Sequence, residues 1–164
     1  MRLAFFPLAL LLWAGAAEAT DIRFPETGNP AYAFQIPDDW VASTDTEGNM
    51  QVQQRINKVL LVLAIGPDAG ASLDEFAADM LKAAGADPSE RREPATLGGR
   101  QGYIYYSVMD NPSDPSGLRI NIRLTLVKPD ASSIASCALL IDASANDADI
   151  AASEAVQNGM RFLP

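Results

Sequence analysis

The sequence predicts an α+β fold in which an antiparallel sheet is packed against helices, and three observations support this prediction. Residues 119–126 alternate apolar and polar side chains, as a strand with one buried face does. Residues 103–109 and 133–141 flank that run with further strand-like segments, so residues 94–141 are predicted to form a three-strand antiparallel meander. One capped helix precedes this block and another follows it. Helices segregated from runs of strands in this way are typical of α+β domains.

Residues 1–19 have the features of a secretory signal peptide. Arg2 supplies a basic start, residues 3–16 are an apolar run, and residues 17–19 (Ala-Glu-Ala) match a small-residue cleavage site. The run is shorter than the ~20 residues that a membrane-spanning helix needs. The sole cysteine, Cys137, is far from this segment, which argues against a lipid anchor on an N-terminal cysteine. We therefore expect a protein that is exported, cleaved after residue 19, and periplasmic or secreted.

The rest of the chain is predicted to be one domain with a short leader. Residues 20–30 contain two prolines and a glycine, and are predicted to be an extended N-terminal segment that adds little to the core. Residues 31–164 are predicted to form a single α+β domain. Within it, residues 32–36 alternate as a short strand that Pro37 ends. Residues 59–65 are seven consecutive apolar residues, which predicts a central strand covered on both faces.

Two helices are predicted from their capping residues. Ser72 followed by Glu75 forms a capping box, and an apolar stripe at helical spacing comes after it. Asp74 and Glu75 lie in the first turn, where the helix dipole favours negative charge, and this is the role predicted for them. Residues 146–147 offer N-caps for the last helix. A glycine is predicted to end each helix (Gly85 and Gly159).

Four segments resemble a known family when they are taken in order. They are residues 34–40 (Phe-Gln-Ile-Pro-Asp-Asp-Trp), 72–76 (Ser-Leu-Asp-Glu-Phe), 97–102 (Leu-Gly-Gly-Arg-Gln-Gly) and 160–163 (Met-Arg-Phe-Leu). In this order they resemble the PsbP/Mog1-like domains, which include DcrB-like envelope proteins and photosystem II extrinsic subunits. The resemblance implies an αβα sandwich and an accessory or interaction role, because the family has no shared catalytic motif to carry over. This chain shows no partner domain, which leaves the specific role open.

The composition excludes most common catalytic chemistries. The chain contains no histidine, so Ser-His-Asp, Cys-His and histidine-zinc sites cannot form within it. Cys137 falls at an inward strand position, where a buried apolar role is predicted. A net charge of −9 disfavours nucleic acid as a partner. We expect no enzymatic activity and no cofactor. A carboxylate-dependent envelope hydrolase is the alternative, since paired acids can hydrolyse glycosidic bonds.

Calcium is the only metal that the residue types favour. Residues 142–146 have the oxygen spacing that starts an EF-hand loop, but Asp147 stands where that loop needs glycine and Ser153 where it needs a glutamate. The loop at residues 110–117 is richer in oxygen ligands, although loops use the same residue types to turn. We expect no metal site, and a weak calcium site in this loop is left open.

Five residues are predicted as possible contacts for a partner. Arg119 and Arg123 lie on the polar face of their strand, where they either receive an acidic partner or pair with nearby acids. Trp40 is either an exposed anchor or a lid on the core. Asp110 and Asp114 belong to the long loop of the meander. These features predict an accessory protein that binds a protein or lipid-linked envelope partner and does not span the membrane, with a small-ligand carrier as a further alternative.

Overall fold

The computed structural model describes residues 19–54, 58–111 and 117–164. The predicted signal peptide lies outside the described residues except for its last residue. In chain order the described elements are β1 (Ala19–Phe24), β2 (Ala31–Pro37), β3 (Trp40–Thr44), β4 (Met50–Gln54), β5 (Val59–Pro67), α1 (Leu73–Ala83), β6 (Arg91–Leu97), β7 (Arg100–Asp110), β8 (Arg119–Val127), β9 (Ser133–Asp142), α2 (Asp147–Asn158) and β10 (Arg161–Leu163).

Seven of these strands form the main sheet, in the order β3-β4-β5-β9-β8-β7-β6. Every neighbouring pair in it is antiparallel. Leu124 in the middle of β8 lies opposite Tyr105 of β7 on one side and Ala138 of β9 on the other. The predicted meander is therefore confirmed, and residues 91–97 form the polar edge strand β6 beside it, which the polar character of residues 90–96 also predicts.

The predicted fold class is wrong, because the two ends of the chain form a second sheet. Strands β1, β2 and β10 pair in that order, so that Tyr32 lies between Phe24 and Phe162. Strands make up 52% and helices 17% of the described residues, which is a β-rich fold and not a helix-packed α+β sandwich. Phe24 is also buried in the core, so the segment expected to add little contributes a strand and a core side chain. Pairing between residues at opposite ends of a chain leaves no local pattern that would predict it.

The main sheet separates two apolar cores. Side chains alternate along a strand, so successive residues of β8 and β9 point to opposite faces. On the face that we call the α1 face, α1 packs on a cluster from β7, β8 and β9 (Tyr105, Ile122, Leu124, Leu126 and Ile134). On the opposite face, the α2 face, α2 and the second sheet cover a larger cluster that includes Leu61, Leu63, Cys137 and Leu139.

One buried hydrogen bond connects the second sheet to the main sheet. The Tyr32 side chain is fully buried, and its hydroxyl donates to the backbone carbonyl of Ser136 in β9 at 2.7 Å. Its ring lies 4.9 Å from the ring of Phe162, which joins the C-terminal strand to the same contact. Burial raises the pKa of this phenol well above its ordinary value, so Tyr32 stays a neutral donor.

Both predicted helices and their caps are confirmed. In α1, the backbone N–H of Glu75 donates to the Ser72 hydroxyl at 3.2 Å, and the Glu75 carboxylate accepts from the Ser72 backbone N–H at 2.9 Å. Asn146 and Asp149 form the same reciprocal pair at the start of α2. Helix α1 ends at Ala83, and the adjacent Gly85 takes a φ of +71°, which a residue with a side chain rarely adopts.

Strand β5 is central, as predicted, but only one of its faces is fully covered. It pairs with β4 on one side and β9 on the other. Val59, Leu61 and Leu63 are buried on the α2 face, whereas Leu60 and Val62 are half-buried on the α1 face. The reason is that α1 contacts β7 and β8 and does not extend over β5.

We expect Tyr32→Phe to lower the free energy of unfolding by about 1 kcal/mol, because it removes a buried hydrogen bond and leaves the Ser136 carbonyl without its donor. Denaturant unfolding measures this loss. Tyr106→Phe is the control, since that hydroxyl donates to Glu93 at an exposed site and its removal should cost little. Equal losses in the two variants would contradict the role given to Tyr32.

Candidate functional site

A groove of about 770 Å³ lies between α1, the connection from α1 to β6, and strand β7. Its lining combines mostly small apolar side chains (Ala77, Ala78, Leu81, Ala86 and Pro88) with polar and charged ones (Asp74, Lys82, Asp87, Ser89, Arg91 and Arg92). Tyr105 of β7 completes it. We call this space the α1 groove.

The groove results from the spacing of side chains along α1 and from a connection that is hydrogen-bonded to β7. Asp74, Ala78 and Lys82 are four residues apart and so lie along one side of α1. The connection then runs back to β6 and is held on β7, where the Asp87 backbone N–H donates to the Val108 carbonyl at 2.9 Å. The side chains that line the two walls are mostly small, so they leave the space between the walls unfilled.

Three side chains from separate elements meet at one end of the groove, and we call them the Asp74 cluster. Nη1 of Arg92 in β6 donates to both carboxylate oxygens of Asp74 at 2.6 Å. The Tyr105 hydroxyl donates to Asp74 Oδ1 at 2.8 Å. The guanidinium carbon of Arg92 lies 4.4 Å from the centre of the Tyr103 ring, which fixes the plane of the arginine.

These contacts shift the pKa of each member of the Asp74 cluster. Donation by the Tyr105 hydroxyl, with help from Arg92, lowers the pKa of Asp74. The Asp74 carboxylate raises the pKa of Arg92. Burial, and then hydrogen bonding to Asp74, raises the pKa of Tyr105 to about 12. At neutral pH the cluster therefore holds a carboxylate, a guanidinium and a neutral phenol.

The two predicted arginines lie in different surroundings. Arg119 Nη2 lies 2.7 Å from Asp87 Oδ2, and Arg119 Nε lies 3.2 Å from Asp110 Oδ1, so it pairs with an acid that lines the groove. Arg123 pairs with Glu154 of α2 and is partly covered by that helix. Both arginines thus pair with acids of the chain, which is the second of the two alternatives given for them. Their role as partner contacts stays a prediction.

The remaining predicted contact residues do not form one patch. Trp40 is 7% exposed and packs in the core of the α2 face, as a lid would. The Asp110 side chain is 94% exposed at the end of β7. Asp114 lies outside the described residues. Of the four described contact residues, the structure groups Arg119 and Asp110, and these lie beside the groove end that contains Asp87.

The described residues give little support for metal binding or for a reactive thiol. Within residues 19–54, 58–111 and 117–164, no group of three or more acidic or cysteine side chains could hold a metal ion. Asp142 instead accepts from the Ser144 backbone N–H at 2.8 Å, and Asn146 caps α2, so the residues with EF-hand spacing shape a turn. Most of the loop considered for calcium lies outside the described residues. Burial raises the pKa of Cys137, which keeps that thiol protonated.

The sequence indicated Asp74 but not its partners. Asp74 was attributed to helix-start electrostatics, and β6 was not assigned any contact residue. The sequence feature that could have indicated the site is the adjacent pair of basic residues, Arg91 and Arg92, in the first strand after the helix. Edge strands use charge to block further pairing, so this signal alone does not indicate a site.

A second cavity, of about 860 Å³, lies between the second sheet and α2 on the opposite side of the molecule. Its charged lining is already engaged in part, because Asp21 accepts from Gln35, and Arg23 donates to the carbonyls of Glu26 and Gly28. The α1 groove is the stronger candidate because several of its charged groups retain free hydrogen-bonding capacity.

We expect Tyr105→Phe to raise the pKa of Asp74 towards the ordinary aspartate value, because the phenol is the largest cause of its lowering. Carboxyl NMR titration measures this pKa, with Tyr106→Phe as the control. Since the folded-state pKa of Asp74 is lowered, its charge stabilises the fold above the unfolded-state pKa, and this stabilisation is lost as pH falls through the folded-state pKa. An unchanged Asp74 pKa in Tyr105→Phe would contradict the cluster as described.

Comparison with known proteins shows the fold alone. No protein-family model and no curated protein matches the chain. Among solved structures, the chain is similar to LpqN of Mycobacterium tuberculosis, described as involved in cell envelope biogenesis, with 16% identity, 90% of this chain and 91% of that chain covered, and a TM-score of 0.59. A protein of Bacteroides thetaiotaomicron matches at 11% identity over 81% of this chain and 45% of its own, with a TM-score of 0.49. Of the two helices in the described part of the chain, neither is long and apolar enough to cross a membrane. The chain therefore shares its overall fold with LpqN.

Proposed function

We propose that this protein is an exported, non-enzymatic accessory protein of the bacterial cell envelope that binds a protein or lipid-linked partner at the α1 groove. The observation that carries the proposal is the charge of the groove. Three basic and two acidic side chains line it, whereas the whole chain has 12 basic and 21 acidic residues. A locally positive, partly apolar groove on an acidic protein is a selective surface for a partner.

Two observations support a location in the envelope. The first 19 residues have the charge, apolar run and cleavage site of a signal peptide. The structure that shares the fold over 90% of this chain is described as that of a protein involved in cell envelope biogenesis. A periplasmic or secreted location of this protein accounts for both observations. The resemblance to PsbP/Mog1-like domains supports an accessory role in the same way.

The chemistry of the groove supports binding rather than catalysis. The chain has no histidine to serve as a base. A carboxylate-dependent hydrolase needs an acid whose pKa is raised, so that it can donate a proton. Asp74 instead has a lowered pKa and is bound to Arg92, and Asp87 is bound to Arg119. Both carboxylates of the groove are committed to ion pairs.

A small-ligand carrier is the second candidate function, and the size of the groove favours it. Pockets for small molecules in proteins measure roughly 300 to 1,000 Å³, and the α1 groove falls within this range. Both candidate functions place binding in the α1 groove, so the first experiment tests whether the groove is the binding surface.

We expect a photo-reactive amino acid at position 78 to cross-link one partner in the intact envelope, because Ala78 is exposed on the wall of the groove. Mass spectrometry of the product identifies a protein or a lipid-linked molecule. The combined change Arg91→Glu and Arg92→Glu should reduce the yield at least about tenfold, since each loses a charge-assisted contact.

Position 151 supplies the control, because Ala151 is an exposed alanine of α2 on the other side of the sheet. The proposal predicts no such product from position 151. Equal products from both positions, or a yield at position 78 that does not change when the arginines are reversed, would refute the α1 groove as the partner surface.

A further inference from the structure

We infer that the α1 groove binds an anionic amphiphile, with its carboxylate or phosphate at Arg91 and Arg92 and its apolar chain between α1 and the connection to β6. This inference rests on the proposed function, since it uses the same groove, and it names the class of ligand.

The floor and walls of the groove suit an apolar chain. Ala77 and Leu81 of α1 are buried and form the floor together with the Tyr105 ring. Ala86 and Pro88 face them from the connection. Apart from the Tyr105 hydroxyl, which is bonded to Asp74, these side chains offer no hydrogen-bonding group. Water molecules in this part of the groove gain few hydrogen bonds from the protein, so their displacement by a hydrocarbon chain is favourable.

The length of the groove suits a single chain. Asp74 and Lys82 mark the two ends of the α1 wall and are eight residues apart. At the rise of an α-helix this separation is about 12 Å. A linear acyl chain of medium length spans such a distance.

Two guanidiniums are positioned to bind the head group. Arg92 uses Nη1 on Asp74 and also interacts with Tyr105, and its side chain is 47% exposed. Arg91 lies with its guanidinium carbon 4.1 Å from the centre of the Tyr106 ring and pairs with Glu93 at 3.6 Å, and its side chain is 62% exposed. N–H groups of both guanidiniums are therefore open to solvent. Such forks match a carboxylate or a phosphate.

The charge balance favours an anion over a neutral or cationic ligand. The two acids of the groove, Asp74 and Asp87, are already paired with Arg92 and Arg119. Lys82 forms no ion pair with any described residue. With three basic and two acidic side chains, the lining has a net charge of +1 although Arg91 also pairs with Glu93, and an anionic ligand would neutralise this charge.

Isothermal titration calorimetry of the chain beginning at Thr20 tests the inference with three probes. Laurate combines an apolar chain with a carboxylate, monolaurin has the same chain without charge, and inorganic phosphate is an anion without a chain. We expect one laurate per chain, with monolaurin binding at least about tenfold more weakly because it lacks the charge-assisted contacts. Phosphate alone should bind weakly, because it buries no apolar surface.

Variants of the groove sharpen the test. Ala78→Trp should abolish laurate binding by filling the space beside the floor, whereas Ala151→Trp on α2 should leave it unchanged. Arg91→Gln with Arg92→Gln should reduce laurate binding to the level of monolaurin. Circular dichroism confirms that each variant is folded, and Lys82→Gln provides a second charge variant that leaves the Asp74 cluster intact.

If laurate binds, three results still overturn the inference. They are equal binding of laurate and monolaurin, phosphate binding as tight as that of laurate, and laurate binding that Ala78→Trp does not reduce. If no probe binds while position 78 still cross-links a protein in a charge-dependent way, this inference fails and the proposed function stands. If laurate binds as expected while position 78 captures no partner, the accessory-protein proposal fails instead.

Discussion

The rest of the structure depends on one constraint: both faces of the main sheet are apolar and must be kept from water. Alternating residues of β5 and β9 place apolar side chains on each face, so each face needs its own cover from the rest of the chain. Helix α1 covers part of one face. Helix α2 and the second sheet cover the other face. The second sheet is tied to the main sheet by the Tyr32 hydroxyl, which donates to the backbone of β9.

The α1 groove follows from how the first of these faces is covered. A single helix cannot cover seven strands, and the chain leaves α1 through a connection that returns along it to the edge strand β6. Small side chains on both walls leave space between the two segments, and Asp74, Arg92 and Tyr105 fasten one end. The same ion pairs that hold the walls in place also concentrate basic groups at the mouth of the groove, which connects the fold to the proposed binding.

The features that the sequence predicted correctly depend on residues that lie close together in the chain. The meander, the capping box at Ser72 and the cap at Asn146 follow from alternation, helical spacing and side-chain chemistry within a few residues. In the second sheet, β10 pairs with β2 from the far end of the described chain, which no local pattern predicts, and β1 was missed because the prolines and glycine of residues 20–30 indicated an extended segment outside the core. The site was missed for a similar reason, since Arg92 meets Asp74 only after α1 has packed on β7. Arg123 was expected at the surface, and the covering helix α2 could not be placed from the sequence.

The central claim is that this protein binds its ligand in the α1 groove, and amide chemical-shift mapping of the folded chain during a laurate titration tests it most directly. The account predicts shifts confined to α1, the connection at residues 84–90, and strands β6 and β7. Shifts concentrated instead at Ile22 and Ala152, in the cavity between the second sheet and α2, would contradict it. So would shifts spread evenly over the molecule.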